Sequence, residues 1–232
     1  MDNAEAITAR AVQFAKDNCK EITRRAIAGF SQESDPVSIF MAGSPGAGKT
    51  EASKKLLKNH GDILRIDADE LREHFRECGY DGKNSHLFQK AATRLVHEIH
   101  DAALKSKISF LLDGTFAGES MARQNIQRSL KRNRDVFVLF VYQSPFIAWN
   151  FVQKREKVEG RRIQPQDFAE KFCASREVVN KMKAEFGNKI ELSLVQKNID
   201  GTNKIFKESI QRIDNHIPEK YSEEQILKEI LG

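Results

Sequence analysis

The 232-residue sequence predicts an α/β protein, a parallel sheet covered by helices on both faces. Three observations carry that expectation. Short apolar runs recur at 37–42, 63–66, 108–113, 136–142 and 190–195. A strand with one wet face would alternate apolar and polar residues, whereas near-continuous runs belong to strands buried on both sides. Helix-periodic segments separate the runs, and alternation of strand and helix is the mark of a parallel sheet. The third observation is the glycine-rich turn between the first run and its helix, Gly43-Ser44-Pro45-Gly46-Ala47-Gly48-Lys49-Thr50.

The elements follow in order. Ile7, Ala11, Phe14, Ala15, Ile22, Ala26 and Phe30 form one apolar stripe, which predicts a helix over 3–30. Polar residues 31–35 and Pro36 end it. After the strand at 37–42 and the glycine turn, a helix runs to about Lys58. The strand at 63–66 leads to a helix starting near Asp69, a loop at 79–85 and a long helix at 87–104. Then come a strand at 108–113, a helix at 120–131, a strand at 136–142, a helix at 146–156, a loop at 160–165, a helix to Phe186 and a last strand at 190–195. The tail beyond Asn198 is charged and reads as helical. The expected organisation is an N-terminal helical extension at 1–34, the α/β domain at 35–200 and a C-terminal helical tail at 201–232.

Composition excludes several classes. Hydrophobic residues are 40% and charged residues 31%, which excludes a wholly disordered chain. The longest apolar run, Val136–Tyr142, is strand-sized, so no membrane span is expected. The acidic N-terminus lacks the apolar core of a signal peptide. Cys19, Cys78 and Cys173 are scattered and odd in number, as buried thiols in a reducing cytoplasm would be. The net charge of +5 slightly favours an anionic ligand, and a nucleic-acid partner would rest on that charge alone.

Residues 43–50 match G-x-x-x-x-G-K-[ST] in full, between an apolar strand and a helix, where the phosphate-binding mechanism requires them. Backbone N–H groups must approach a triphosphate closely, and the glycines remove the side chains that would block them. The helix start adds its unsatisfied N–H groups and dipole. Lys49 supplies a mobile charge for the β and γ oxygens, and Thr50 a hydroxyl for Mg²⁺. The expected cofactors are therefore ATP and Mg²⁺.

Two acidic sites stand at strand exits, where ligands bind in open α/β sheets. Asp67-Ala68-Asp69-Glu70 follows the second strand. Asp67 with Glu70 three residues on fits a helix cap as well as a substrate contact. Asp69 is not needed as a cap and is the better general base for an acceptor hydroxyl. The third strand ends Asp113-Gly114-Thr115, so Asp113 is the candidate second metal residue, and Thr115 exposes a hydroxyl to the cleft. Arg155, Arg161 and Arg162 lie around the turn after the helix at 146–156. They read either as a lid that neutralises a transferring phosphoryl group or as a solvated basic run. His97 and His100 fall one residue short of a zinc-binding H-E-x-x-H and are placed on the polar side of their helix.

Taken together, these motifs resemble the zeta-toxin family of toxin–antitoxin kinases over about residues 37–195. The resemblance implies a kinase-type P-loop fold with strand order 2-3-1-4-5. It makes Asp69 the base, with Lys49, Arg155 and Arg162 as its catalytic companions and Arg161 a rival for the last. It places Asp67, Arg72, Thr115 and, weakly, Glu98 near the substrate, although His97 occupies the position that spacing assigns to the family's glutamate. Asp113 stands where the family has glutamate, one carbon shorter. The implied activity is phosphorylation of the 3′-hydroxyl of UDP-N-acetylglucosamine, with a small helical antitoxin as partner. NAD, an antibiotic or a polynucleotide end are alternative acceptors, and a non-catalytic nucleotide-binding module is the alternative class. The helix at 3–30 is expected to pack on the domain's flank, with a built-in inhibitory helix as the other reading.

Overall fold

The computed structural model describes residues 3–60, 62–160, 162–200, 202–217 and 219–232. Its six-stranded sheet comprises β1 (Val37–Ala42), β2 (Leu64–Asp67), β3 (Phe110–Asp113), β4 (Asp135–Tyr142), β5 (Glu191–Lys197) and β6 (Asn203–Lys207) in the order β2-β3-β1-β4-β5-β6. The first five are mutually parallel in the expected order 2-3-1-4-5. β6 runs antiparallel to β5 and adds an edge. The tail is therefore not helical throughout. Its charged residues Lys204 and Lys207 belong to a largely solvent-exposed edge strand, and only Glu223–Leu231 forms an α-helix among the tail's described residues.

The helices are α1 (Asn3–Ile27), α2 (Lys49–His60), α3 (Ala68–Leu71), α4 (Gln89–Lys105), α5 (Glu119–Leu130), α6 (Pro145–Glu159), α7 (Pro165–Phe186) and α8 (Glu223–Leu231). Two apolar clusters flank the sheet, because successive strand residues point to opposite faces. Phe40, Phe110, Val138, Phe140, Leu192 and Leu194 enter the larger one, with residues of α1, α4, α5, α6, α7 and α8. Ile39, Met41, Leu111, Leu139, Val141 and Val195 face the smaller one beneath α2.

The stripe on α1 packs as expected on the domain's flank. Ala11, Ala15, Cys19 and Ile22 are buried in the larger core, and α1 lies against α4 and the short 3₁₀ turns before it. This cover corrects one expectation. His100 is not on a polar face; it is buried, with its ring edge-on to Phe110 and Phe40. With the sheet on one side and α1 on another, α4 buries more than one stripe. Burial holds the His100 pKa down to about 3, with the Arg128 charge adding to the effect. Cys19 and Cys78 are buried, Cys173 only partly, and all three are free thiols. Among the described residues no helix is long and apolar enough to cross a membrane.

Candidate active site

The turn at 43–48 joins β1 to α2 at the carboxyl end of the sheet. The Gly43 N–H donates to the Thr115 carbonyl at 3.1 Å, which ties the turn to the exit of β3. A Cβ on Gly43 would stand 2.2 Å from the Val141 carbonyl oxygen, and its φ of +130° suits glycine alone. The Lys49 ammonium donates to the carbonyls of Gly43 at 2.9 Å and Ser44 at 2.8 Å. Burial pushes its pKa down to about 8. The charges of Asp113, Asp69 and Asp67 pull it up and that of Arg155 pushes it down further. One lysine thus senses the acids of two strand exits and an arginine of α6.

Asp67 caps α3, its Oδ1 accepting the Asp69 N–H at 2.8 Å. Its Oδ2 accepts from Arg65 at 2.5 Å, so both oxygens are engaged within the protein. Burial raises the Asp67 pKa to about 6, reinforced by Asp69 and Asp113 and opposed by the Asp69 N–H and Arg65. Asp69 pairs with Arg72, and Arg72 in turn donates to Gln89 at the start of α4. The Asp69 side chain is 35% exposed while that of Arg72 is 7% exposed, so the acid is open to a ligand and its guanidinium partner is not.

Arg65 is the residue that sequence reasoning missed. Its buried guanidinium donates to Asp113 Oδ2 at 2.7 Å, to Asp67, to Glu70 and to the Ser53 hydroxyl at 3.2 Å. The signal was present: it is the one charged side chain within the run Ile63-Leu64-Arg65-Ile66. Gln89 was missed as well and carried no signal, being one amide at the start of an amphipathic helix.

Other expected residues lie further out. Glu98 is on α4 with Arg94 as its ion-pair partner, 3.7 Å away. Arg155, on α6, bonds Glu159 at 3.2 Å and is electrostatically coupled to Lys49. Arg162 follows α6, well exposed, 3.8 Å from a Glu156 oxygen. Arg161 lies outside the described residues.

The residues present fit a nucleotide's phosphates and a magnesium ion. The glycine turn leaves room for close backbone approach, and Lys49 is a desolvated cation. Among the described residues the Thr50 hydroxyl and Asp113 Oδ1 have no protein partner, while Asp113 Oδ2 is held by Arg65 and Ser53. Two hard oxygens beside a polyphosphate suit magnesium, which takes few protein ligands and completes its shell with phosphate oxygens and water.

A glycine turn with its lysine, an acid at the neighbouring strand exit and the order 2-3-1-4-5 define a P-loop kinase fold. The zeta toxin family model matches residues 20–211, and the chain belongs to that family. Its fold is similar to a structure of the PezAT chromosomal toxin–antitoxin system of Streptococcus pneumoniae (TM-score 0.69, 17% identity, covering 94% of this chain and 92% of that one). It is also similar to the AvrRxo1-ORF1:ORF2 complex solved with ATP (TM-score 0.62, 15% identity, 91% of this chain and 70% of that one). The Pnkp1/Rnl/Hen1 RNA repair complex is a more distant likeness (TM-score 0.53, 15% identity, 65% and 47%). No curated protein matches the sequence.

Proposed function

We propose that this zeta-toxin family protein is an ATP-dependent small-molecule kinase. It transfers the γ-phosphoryl group to a sugar hydroxyl, with the 3′-hydroxyl of UDP-N-acetylglucosamine as the first acceptor to test. The observation that carries this reading is the convergence on Lys49: one half-buried lysine, its ammonium held by the turn's carbonyls, is coupled to Asp113, Asp69, Asp67 and Arg155. A nucleotide on the turn at 43–50 would meet a metal-competent acid, a half-exposed carboxylate and an arginine in one cleft.

The roles follow from placement. The turn's N–H groups and Lys49 hold the β- and γ-phosphates. Magnesium, when bound by Thr50 and Asp113, supplies charge neutralisation on the phosphate oxygens. Asp69, oriented by Arg72 and by the capped start of α3, accepts the acceptor's hydroxyl proton as that oxygen attacks phosphorus and the bond to the bridging oxygen of ADP breaks. Asp67 serves by fixing that start. Arg155 and Arg162 neutralise the phosphoryl oxygens in transfer, Arg162 after the segment following α6 closes inward. The family and the toxin–antitoxin setting of the PezAT structure support a toxin role in the cytoplasm, with a small antitoxin protein as partner.

Mass spectrometry of reactions with ATP, magnesium and a panel of acceptors tests the reading. The panel holds UDP-N-acetylglucosamine, NAD, an aminoglycoside and a polynucleotide end. The expected product is UDP-N-acetylglucosamine carrying one added phosphate, and Asp69→Asn is expected to abolish it while leaving ATP affinity nearly intact. Phosphate on a different acceptor alone would reassign the substrate. Full turnover by Asp69→Asn would remove Asp69 as the base.

A further inference from the structure

On the side of the cleft away from Asp69 and Asp113, one cation is buried without a direct partner. Lys197 closes β5 and is 8% exposed. Among the described residues its ammonium has neither a hydrogen-bond nor an ion-pair partner. Burial depresses its pKa, with Lys55 adding to the effect and Glu51 opposing it. A desolvated charge that only the nearby Glu51 offsets, with no hydrogen bond of its own, is unfavourable in the free protein, and such groups concentrate at binding sites.

Strand geometry explains its position. Val195 packs in the small core with Ala47 and Ala52, and the period of two puts Lys197 on the same face, one pleat nearer the cleft. The β5–β6 pairing shifts register opposite Gln196/Lys197, with the extra residue on β6, so β5 itself keeps its period of two through Lys197. The side chain lies over the last glycine of the phosphate turn. A Cβ on Gly48 would stand 3.1 Å from Lys197 Cε, 3.5 Å from Glu51 Oε2 and 3.6 Å from Lys197 Nζ. The missing side chain at Gly48, whose φ is +86°, is what makes room for the lysine.

The sheet order then gives a direction. Asp69 and Asp113 follow or end β2 and β3, on one side of β1, whereas Lys197 ends β5, beyond β4 on the other. A polyphosphate whose terminal phosphoryl group faces the acids has its nucleoside end toward β5. We infer that Lys197 is a second phosphate-binding lysine of this site and takes the nucleoside-proximal α-phosphate of the nucleotide. The inference rests on the reading that residues 43–50 bind ATP.

Calorimetric titration of Lys197→Met with ATP, ADP and inorganic tripolyphosphate tests it, with the melting temperature of the free protein measured in parallel. Removing one charge-assisted hydrogen bond corresponds to about tenfold or more in affinity. ATP, ADP and tripolyphosphate are expected to weaken by a similar factor, while the free variant melts no lower than the parent. Lys49→Met is expected to weaken ATP more than ADP. Unchanged affinity in Lys197→Met would overturn the proposal. So would a loss for ATP without a loss for ADP, which assigns the terminal phosphate. So would a loss for nucleotides without one for tripolyphosphate, which assigns ribose or base. If Lys197→Met fails to fold, Lys197→Gln carries the same measurements. If the parent binds neither ATP nor ADP, the phosphate-turn reading itself is wrong, an outcome distinct from failure of the lysine.

Discussion

The two ends of the sheet each bury an arginine among strand residues, and they treat it in opposite ways. At the amino end, Arg134 donates to the Ser38 hydroxyl at 2.8 Å and to the carbonyls of Val37 at 2.7 Å and Ile108 at 2.6 Å, over the ring of Phe110. Nearby, Glu33 accepts from both the Ser109 N–H and its hydroxyl. Neutral acceptors surround the one cation. At the carboxyl end, Arg65 holds Asp67, Asp113 and Glu70 together, Asp67 is raised, and Lys49 and Lys197 are desolvated. At the amino end Arg134 ties β1 to the residues that lead into β3 and β4, although its Nη1 has no hydrogen-bond partner among the described residues and burial pulls its pKa down to about 10. The carboxyl end keeps charges in excess of their protein partners, an arrangement that favours a ligand carrying charge of its own.

The largest effect expected of this contrast is at Lys49. Lys49→Met should lower turnover by about 10³-fold, the scale for losing one preorganised group on a developing charge. ATP-induced thermal stabilisation should vanish with it. The free protein should nevertheless melt within a few degrees of the parent, because removing a desolvated ammonium offsets the two carbonyls left without their donor. A variant that unfolds several degrees earlier without ligand would mean that Lys49 is structural, and the contrast would break at its centre. Arg134→Met should behave the other way. It strands three acceptors in the interior and should cost about 3 kcal/mol in denaturant unfolding, while the ATP affinity of the folded fraction is unchanged. A fall in affinity there would show that the two ends are coupled through β1.

What the sequence disclosed divides along the same line. The placement of the phosphate turn, Asp69 and Asp113 at strand exits was legible because phosphate-binding chemistry restricts residue type and spacing there. The five-strand order was legible through the family's motifs. Arg65 escaped because a strand read for apolar content absorbs one charged residue, and its three carboxylate partners come together only in three dimensions. β6 escaped because an edge strand with solvated side chains has the composition of a polar helix. His100 escaped because the helical period reveals one buried stripe, and the second face of α4 is created by α1, 60 or more residues earlier in the chain.

A smaller effect sharpens the comparison through pH. Asp67 has an ordinary value of 3.8 and is raised to about 6 in the fold, chiefly by burial. Below pH 4 the carboxyl is protonated whether the chain is folded or not, and it contributes no pH dependence. Between about pH 4 and 6 the unfolded chain releases the proton while the folded chain keeps it, so stability falls as pH rises. The fall is complete above pH 6 and is of order 2–3 kcal/mol at 1.36 kcal/mol per pH unit. Asp67→Asn keeps an oxygen to cap the Asp69 N–H and has no proton to release. Its loss of the Arg65 pair adds an offset that does not change with pH, so the slope of the difference is the quantity to measure. Unfolding free energies of parent and variant should diverge from pH 4 to 6, the variant gaining, and run parallel above. A flat difference over that range would mean that Arg65 neutralises Asp67 fully, and that the carboxyl end holds no excess of negative charge at this position.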